Sequence, residues 1–468
     1  MLVLLSCVLC SGSLTADDWP HWQGPNRNDI VSESSGWKSG EWLAKQPLWK
    51  ENFGEGSTSP IIVGEQLYVM GWRDGEDYLY CLQAASGKVN WSVSYKCPKY
   101  GRFATGDEGL YSGPTSTPEF DRETGFLYTL SCNGDLICWD VNKQGRRIWS
   151  VDLYEQYSVR RRPKVGRSGL RDYGYTTAPF VYGDLVIVEV GSDKATLVAF
   201  NKSTGKPVWL SAAKGPAGHT GGLVPITVEG IPCVTVMTFK GLLVTRLDVG
   251  HEGETVAEYE WITEFINNIA SPAVFENYVL ITSAYNHNAI CKLQITLHGA
   301  RKGWEQSWSS KACTPVIHKG HVYLAWQKLR CLDFETGEQK WEGGNFADAG
   351  SCIITSDDRI IVWGGTGRLV LAETATSSPG AYKAIATIDK VFSTDVWPHV
   401  ALADGRRCGH GGHLHGRPSR LLTEPAGHLR RGRLRRRWAD ARRGVRRHRR
   451  RHRHRRPCRD DVPAPQRR

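Results

Sequence analysis

The sequence predicts an all-β fold: an eight-bladed β-propeller with an incomplete last blade. Three observations predict it. A strand–turn phrase returns along the chain, its clearest copy being Cys331–Trp341, CLDFETGEQKW. Openings built on Ser, Thr or Ala before Pro recur every 40–60 residues or so, marking seven whole units and one started unit. Near the start, Pro47–Gly54 (PLWKENFG) reads as the end of a unit without its beginning. A period near 40–50 residues with four short strands is that of a propeller blade. No long window shows helical periodicity.

Each position of the phrase has a physical reason. It reads CLQAASGKVNW at 81–91, CWDVNKQGRRIW at 138–149 and AFNKSTGKPVW at 199–209. Gln83, Asp140, Asn201 and Asp333 open a turn by bonding their own backbone. Gly87, Gly145, Gly205 and Gly337 supply the positive φ that ends it. Trp91, Trp149, Trp209 and Trp341 follow as flat plates able to dock on a neighbouring turn and place their N–H on an acceptor. Trp49 stands where such a Trp belongs in the orphan strand.

Taken in order, residues 1–16 (MLVLLSCVLCSGSLTA) have the apolar run and small residues of a secretory signal with cleavage after Ala16. The alternative is a lipoprotein acylated at Cys7 or Cys10. Residues 17–46, containing DWPHWQGPNRNDI, form an irregular lead-in. Residues 47–405 form the propeller, with openings at Ser57, Thr115, Thr176, Gly222, Ala270, Cys313, Ser351 and Trp397. Alternation such as Val322 and Leu324 against Tyr323 and Ala325 is the period of a half-buried strand. A propeller must hide its first and last edges. Trp49's strand is therefore expected to complete the sheet begun at Trp397.

Residues 406–468 hold 23 Arg, no Lys and 4 acidic residues, a net +19 that leaves the body at −7. The tail interrupts the last unit. We read it as a disordered, out-of-frame product, with an Arg-rich anion-binding segment as the alternative. The mildly acidic body gives no reason to expect nucleic acid as a partner of the propeller. No stretch after the signal approaches the ~20 apolar residues of a spanning helix. The 13 Cys show no CxxC pair and no metal-ligand spacing. Cys81, Cys138, Cys291 and Cys331 sit in strand-like runs and read as small buried apolar positions.

The Asp/Asn-x-x-Thr-Gly-x-x-x-Trp phrase in a propeller array resembles the docking repeat of the PQQ-like (quinoprotein-type) propellers. The lead-in resembles the opening of exported bacterial PQQ-like repeat proteins of the planctomycete type. The resemblance covers roughly residues 18–406 and makes the fold quinoprotein-like. It implies one of two functions: a BamB-like scaffold without cofactor, or a dehydrogenase of alcohols or sugars using pyrroloquinoline quinone with Ca²⁺. The chain lacks the adjacent Cys-Cys and the CxxCH haem motif that accompany the second. We therefore expect a non-catalytic, monomeric scaffold exported to the periplasm or cell envelope. Its expected partners are envelope or exported proteins, with no catalytic residues, metal or cofactor. A small-ligand or glycan-binding propeller is the further alternative. Tyr111, Tyr175, His219, Asn267 and Asn268 precede unit openings and are candidates to line a funnel at the ring's mouth. The competing role for each is capping strands near the axis.

Overall fold

A computed structural model describes residues 18–40, 42, 47–98, 113–160, 173–263, 267–347, 350–365, 367–391, 399–403, 406–410 and 420–423. The chain divides into residues 1–428 and 429–468, and every described residue belongs to the first. The expected signal, Tyr111, Trp397 and residues 424–468 lie outside the described set.

The repeat becomes eight antiparallel sheets. Blades 1 to 7 span residues 61–96, 119–152, 180–210, 224–260, 273–306, 316–347 and 350–388, each built in sequence order from inner to outer strand. Blade 6 has three strands because Gln327, at φ +53°, turns the chain inside one continuous strand, His321–Asp333. The first half of that strand pairs with Val316–His318 and the second with Gln339–Ala347. Blade 8 joins both ends of the propeller. Trp49–Glu51 pairs with Arg420–Thr423, Trp49 opposite Leu422, and the sheet runs on through Arg406–His410 to Ala401–Ala403. The expected clasp between Trp49's strand and the last unit is thus present.

This last blade is the incomplete one, described only in those four strands. Two of them carry the sheet past the tail boundary expected at residue 406. The physical reason is that a ladder is made by backbone N–H and C=O groups. The short inner strand Ala401–Ala403 can be paired whatever side chains the returning strands carry.

Inner strands of neighbouring blades lie side by side, including Ile61–Val63 against Ala401–Ala403 where the ring closes. The core is therefore divided into layers between blades rather than gathered in one mass. Between blades 1 and 2, Ile61, Tyr68, Met70 and Leu79 meet Leu127, Ile137 and Trp139. Between blades 4 and 5, Val228, Met237 and Val244 meet Val279, Ile281 and Leu293. At ~25 cal/mol per Å² of apolar surface removed from water, such layers dominate the stability of the ring.

Four Trp plates dock as the phrase requires, each onto the next blade. Trp49 lies over Gly87, Trp91 over Gly145 and Trp149 over Gly205. The indole N–H of Trp49 donates to the Ala84 carbonyl at 2.8 Å, and that of Trp149 to Lys202 at 3.0 Å. Trp304 does the same on Gly337, donating to Phe334 at 3.0 Å. Trp304 lies outside the repeated phrase because blade 5 turns through Leu297–Gly299 without Thr-Gly. Its cross-strand partner Lys292 matches Cys81 opposite Trp91. Trp209 and Trp341 depart from the expectation, since their N–H groups make no hydrogen bond among the described residues. Trp341 packs near Tyr382 instead.

Gly205 shows why glycine is required at these sites. Its φ is +69°, and a Cβ there would lie 2.6 Å from Trp149 Cδ2. Gly205→Ala is expected to cost about 1–3 kcal/mol, from left-handed strain plus a displaced indole. Urea unfolding followed by Trp fluorescence checks it, and an unchanged midpoint would refute the docking account.

Candidate functional site

The unit openings do more than start strands. Ser59 N–H donates to Thr117 Oγ1 at 3.0 Å, and Ser116 Oγ to the Thr177 carbonyl at 3.0 Å. Thr176 Oγ1 donates to the Thr220 carbonyl, Thr220 Oγ1 to Ser271 Oγ, and Ser271 N–H to Thr314 Oγ1. His399 N–H donates to Ser59 Oγ at 3.1 Å and closes the series between blades 8 and 1. A belt of small hydroxyls thus stitches inner strand to inner strand near the axis. Ser and Thr suit it because one hydroxyl both donates and accepts in little space.

The lead-in threads into this belt. Trp19 exchanges two backbone hydrogen bonds with Ile62 of blade 1, and Phe120 of blade 2 donates to Pro20. Val31 donates to Ile354 of blade 7, whose own N–H donates to Asp29. Gly24, at φ +78°, lets the chain turn tightly against the Trp19 ring. Trp22 fills a cradle of two glycines: a Cβ on Gly221 or Gly222 would lie 2.4 or 2.5 Å from its ring. Its N–H donates to Ser271 at 3.2 Å, and its ring meets His399 edge-on with centroids 4.4 Å apart.

Two buried charge pairs fix this segment. Arg27, 7% exposed, forms a salt bridge with Glu119 of blade 2, which is 1% exposed. The guanidinium also sits 4.7 Å from the Phe180 ring centroid, and Glu119 accepts from Val181 N–H at 3.1 Å. Burial pushes the Glu119 carboxyl up to about 7 although Arg27 opposes it. Asp29 accepts from Gln23 Nε2 at 2.9 Å and lies 3.0 Å from His399 Nδ1. Burial disfavours a charged His399, but the Asp29 carboxylate outweighs it and raises its pKa above the usual imidazole range. Burial, and then Arg27, hold His21 well below that range.

His399 therefore contributes stability that is fully present below about pH 6.5, its unfolded value. That contribution is lost as pH rises through its raised folded value. We expect the gap in thermal midpoint between the native chain and His399→Gln to be widest below pH 6 and to narrow above pH 7. A pH-independent gap would remove the imidazolium from the account.

The funnel candidates fall at successive blade junctions rather than in one pocket. Tyr175 is buried between blades 2 and 3, its hydroxyl donating to the Val190 carbonyl at 2.7 Å. Asn268 Nδ2 donates to the Thr238 and Trp261 carbonyls at 3.1 and 3.0 Å, with Asn267 buried beside it. His219 is buried with its ring edge-on to Tyr173, centroids 5.0 Å apart. The residues that gather at the axis are instead Trp22, Arg27, Asp29, Glu119 and His399. Sequence reasoning passed over them because the partners in each pair are far apart in the chain. The Trp density of the lead-in was the one available signal.

A cleft of about 650 Å³ lies at the other end of the inner strands of blades 3, 4 and 5, lined by Tyr182, Pro225, Thr227, Val274 and Glu276.

The quinone suggested by the family resemblance is a flat tricarboxylate, needing an open flat cradle and unspent cations. Here Trp22 fills the glycine cradle. Arg27, the buried guanidinium among the described residues, is committed to Glu119. The axial residues described do not fit that group. Among the described residues no three His, Cys, Asp or Glu side chains are placed to share a metal ion.

The family model for the outer membrane protein assembly factor BamB matches residues 114–343. BamB from Moraxella catarrhalis is similar in structure, with a TM-score of 0.54 at 13% identity, covering 82% of this chain and 98% of that one. Quinohemoprotein alcohol dehydrogenase from Comamonas testosteroni aligns with a TM-score of 0.59 at 13% identity, over 90% of this chain and 82% of that one. The computationally designed Ika8 protein aligns with a TM-score of 0.52 at 11% identity, over 82% and 99%. No curated protein matches the chain. At these identities the structural likeness shows the fold alone, a β-propeller, and the family model covers just under half of the chain. No helix among the described residues is long and apolar enough to cross a membrane.

Proposed function

We propose that this chain is a non-catalytic propeller scaffold, exported to the periplasm or cell envelope, that binds other envelope or exported proteins. The observation that carries this reading is the lead-in. It occupies the axial end of the ring with Trp22 and two buried charge pairs, where a propeller enzyme would seat its reacting groups. The match to an outer membrane protein assembly factor supports the same reading, as does the lead-in's resemblance to the exported planctomycete-type group. The surfaces left for partners are loops and outer strands, where Val89, Val208 and Leu210 stand exposed. No bound quinone is expected, and the ring acts as a monomer.

Equilibrium dialysis of the full chain against pyrroloquinoline quinone and Ca²⁺ tests the proposal. No saturable retention is expected. Saturable uptake with alcohol-dependent dye reduction would replace the scaffold with a dehydrogenase. A second reading, binding of a small ligand or glycan, is favoured only by the cleft at Tyr182 and Glu276. A glycan array that finds a ligand whose binding Tyr182→Ala abolishes would establish it.

A further inference from the structure

The outermost strand of each blade has one backbone edge without a ladder partner among the described residues. Such an edge invites another strand unless it is short or carries charge. Blades 3, 7 and 8 end in strands of four, five and three residues, Pro207–Leu210, Ala384–Ile388 and Trp49–Glu51. The longer outer strands carry charge within them: Arg147 in blade 2, Glu258 in blade 4, Lys302 in blade 5 and Glu342 in blade 6. The outer strand of blade 1, Val89–Lys96, has neither protection. It is eight residues long, and residues 89–95 (VNWSVSY) hold no charge.

Its two faces and its two ends define what would fit. Trp91, Val93 and Tyr95 lie half-buried along the layer between blades 1 and 2, and Ser92 and Ser94 are exposed on the other face. An added strand that alternates apolar and hydroxyl residues would cover the first set and lay small polar groups beside the second. Lys88 and Lys96 stand exposed at the two ends, and neither forms an ion pair among the described residues. Glu76, across from Lys96, accepts from the Ser94 hydroxyl at 3.0 Å. A second copy of the chain is a poor occupant. Antiparallel pairing centred on Ser92 would set Lys88 of each copy against Lys96 of the other, like charge against like.

We propose that Val89–Lys96 is a docking edge that takes up an extended segment of a partner protein as a fifth strand of blade 1. The segment is uncharged over about seven residues, alternates apolar residues with Ser or Thr, and has an acidic residue at each end, matched to Lys88 and Lys96. Backbone hydrogen bonds supply the affinity, and the alternation and the acidic ends supply the choice of partner. This rests on the scaffold reading and names the kind of segment the scaffold holds.

A fluorescent peptide of seven alternating Thr and Val residues with Asp at each end tests this on the full chain. A saturable rise in anisotropy is expected, with slowed amide exchange at residues 89–96. The same peptide with Pro at two adjacent central positions cannot complete the ladder and should not bind. Joint Lys88→Glu and Lys96→Glu substitution should weaken binding about tenfold. A peptide with Lys at each end should show the reverse preference between the two chains. No binding, protection outside residues 89–96, or indifference to the charge swap would overturn the docking edge. So would a dimer protected at those residues without peptide, which would give the edge to a second copy. Any of these results leaves the scaffold reading standing, whereas quinone uptake in dialysis with peptide binding intact would remove that reading alone.

Discussion

Glu119→Ala is expected to destabilise the ring by about 3–5 kcal/mol, because it leaves a buried charge without its partner. Arg27 would stay enclosed near Phe180 with a guanidinium that cannot shed its proton. Arg27→Ala is expected to cost less. The carboxyl left behind is already pushed up to about 7 by burial, and without Arg27 it can take a proton and become neutral. Glu119→Gln falls between, since an amide can still accept from Val181 N–H. Urea unfolding of the three variants at pH 7.5 gives the order directly. If Arg27→Ala proved the most damaging, the asymmetry between the two partners would be wrong. The lead-in should loosen together with the loss, so limited proteolysis of Glu119→Ala should cut within residues 18–36 before the blades are digested.

Trp49→Ala is expected to cost a similar amount, about 3–5 kcal/mol for removing a large buried aromatic. The consequence is of a different kind. Trp49 is 8% exposed, lies across Gly87 and donates to Ala84. Its strand of three residues is the outermost of blade 8 and pairs with Arg420–Thr423. So short a strand is held by this one anchor more than by its ladder. Without it, Arg420–Thr423 becomes an open edge able to pair with another chain. The variant should therefore aggregate near its thermal midpoint in a concentration-dependent way, visible in light scattering. A variant that melts like the native chain, without scattering, would show that the clasp does not depend on Trp49.

Much of the ring is legible in the sequence. The openings around Pro60, Pro118, Pro179 and Pro315 counted the blades, because each marks the same entry into an inner strand. Trp49 could be assigned to the far end of the chain because its phrase had an end and no start. What escaped were features whose partners share no local pattern. Arg27 and Glu119 are 92 positions apart, and nothing around either announces the other. The hydroxyls of STSP, TSTP and TTAP were visible as letters, but a belt exists only once the units stand in a circle. Strands Arg406–His410 and Arg420–Thr423 were hidden by their composition, since backbone pairing leaves no mark on side-chain type.

The lead-in is synthesised before the blades, yet two of its partners, Ile354 and His399, are made more than three hundred residues later. It cannot seat until nearly the whole chain has been synthesised. Through that interval Val31 lacks Ile354 and Trp22 lacks the His399 ring. Closure at such sequence separation makes folding slow and leaves the nascent chain open to misassembly. The cell must therefore keep these first residues out of trouble, by a holding chaperone or by delivering the chain unfolded, until the last strands arrive.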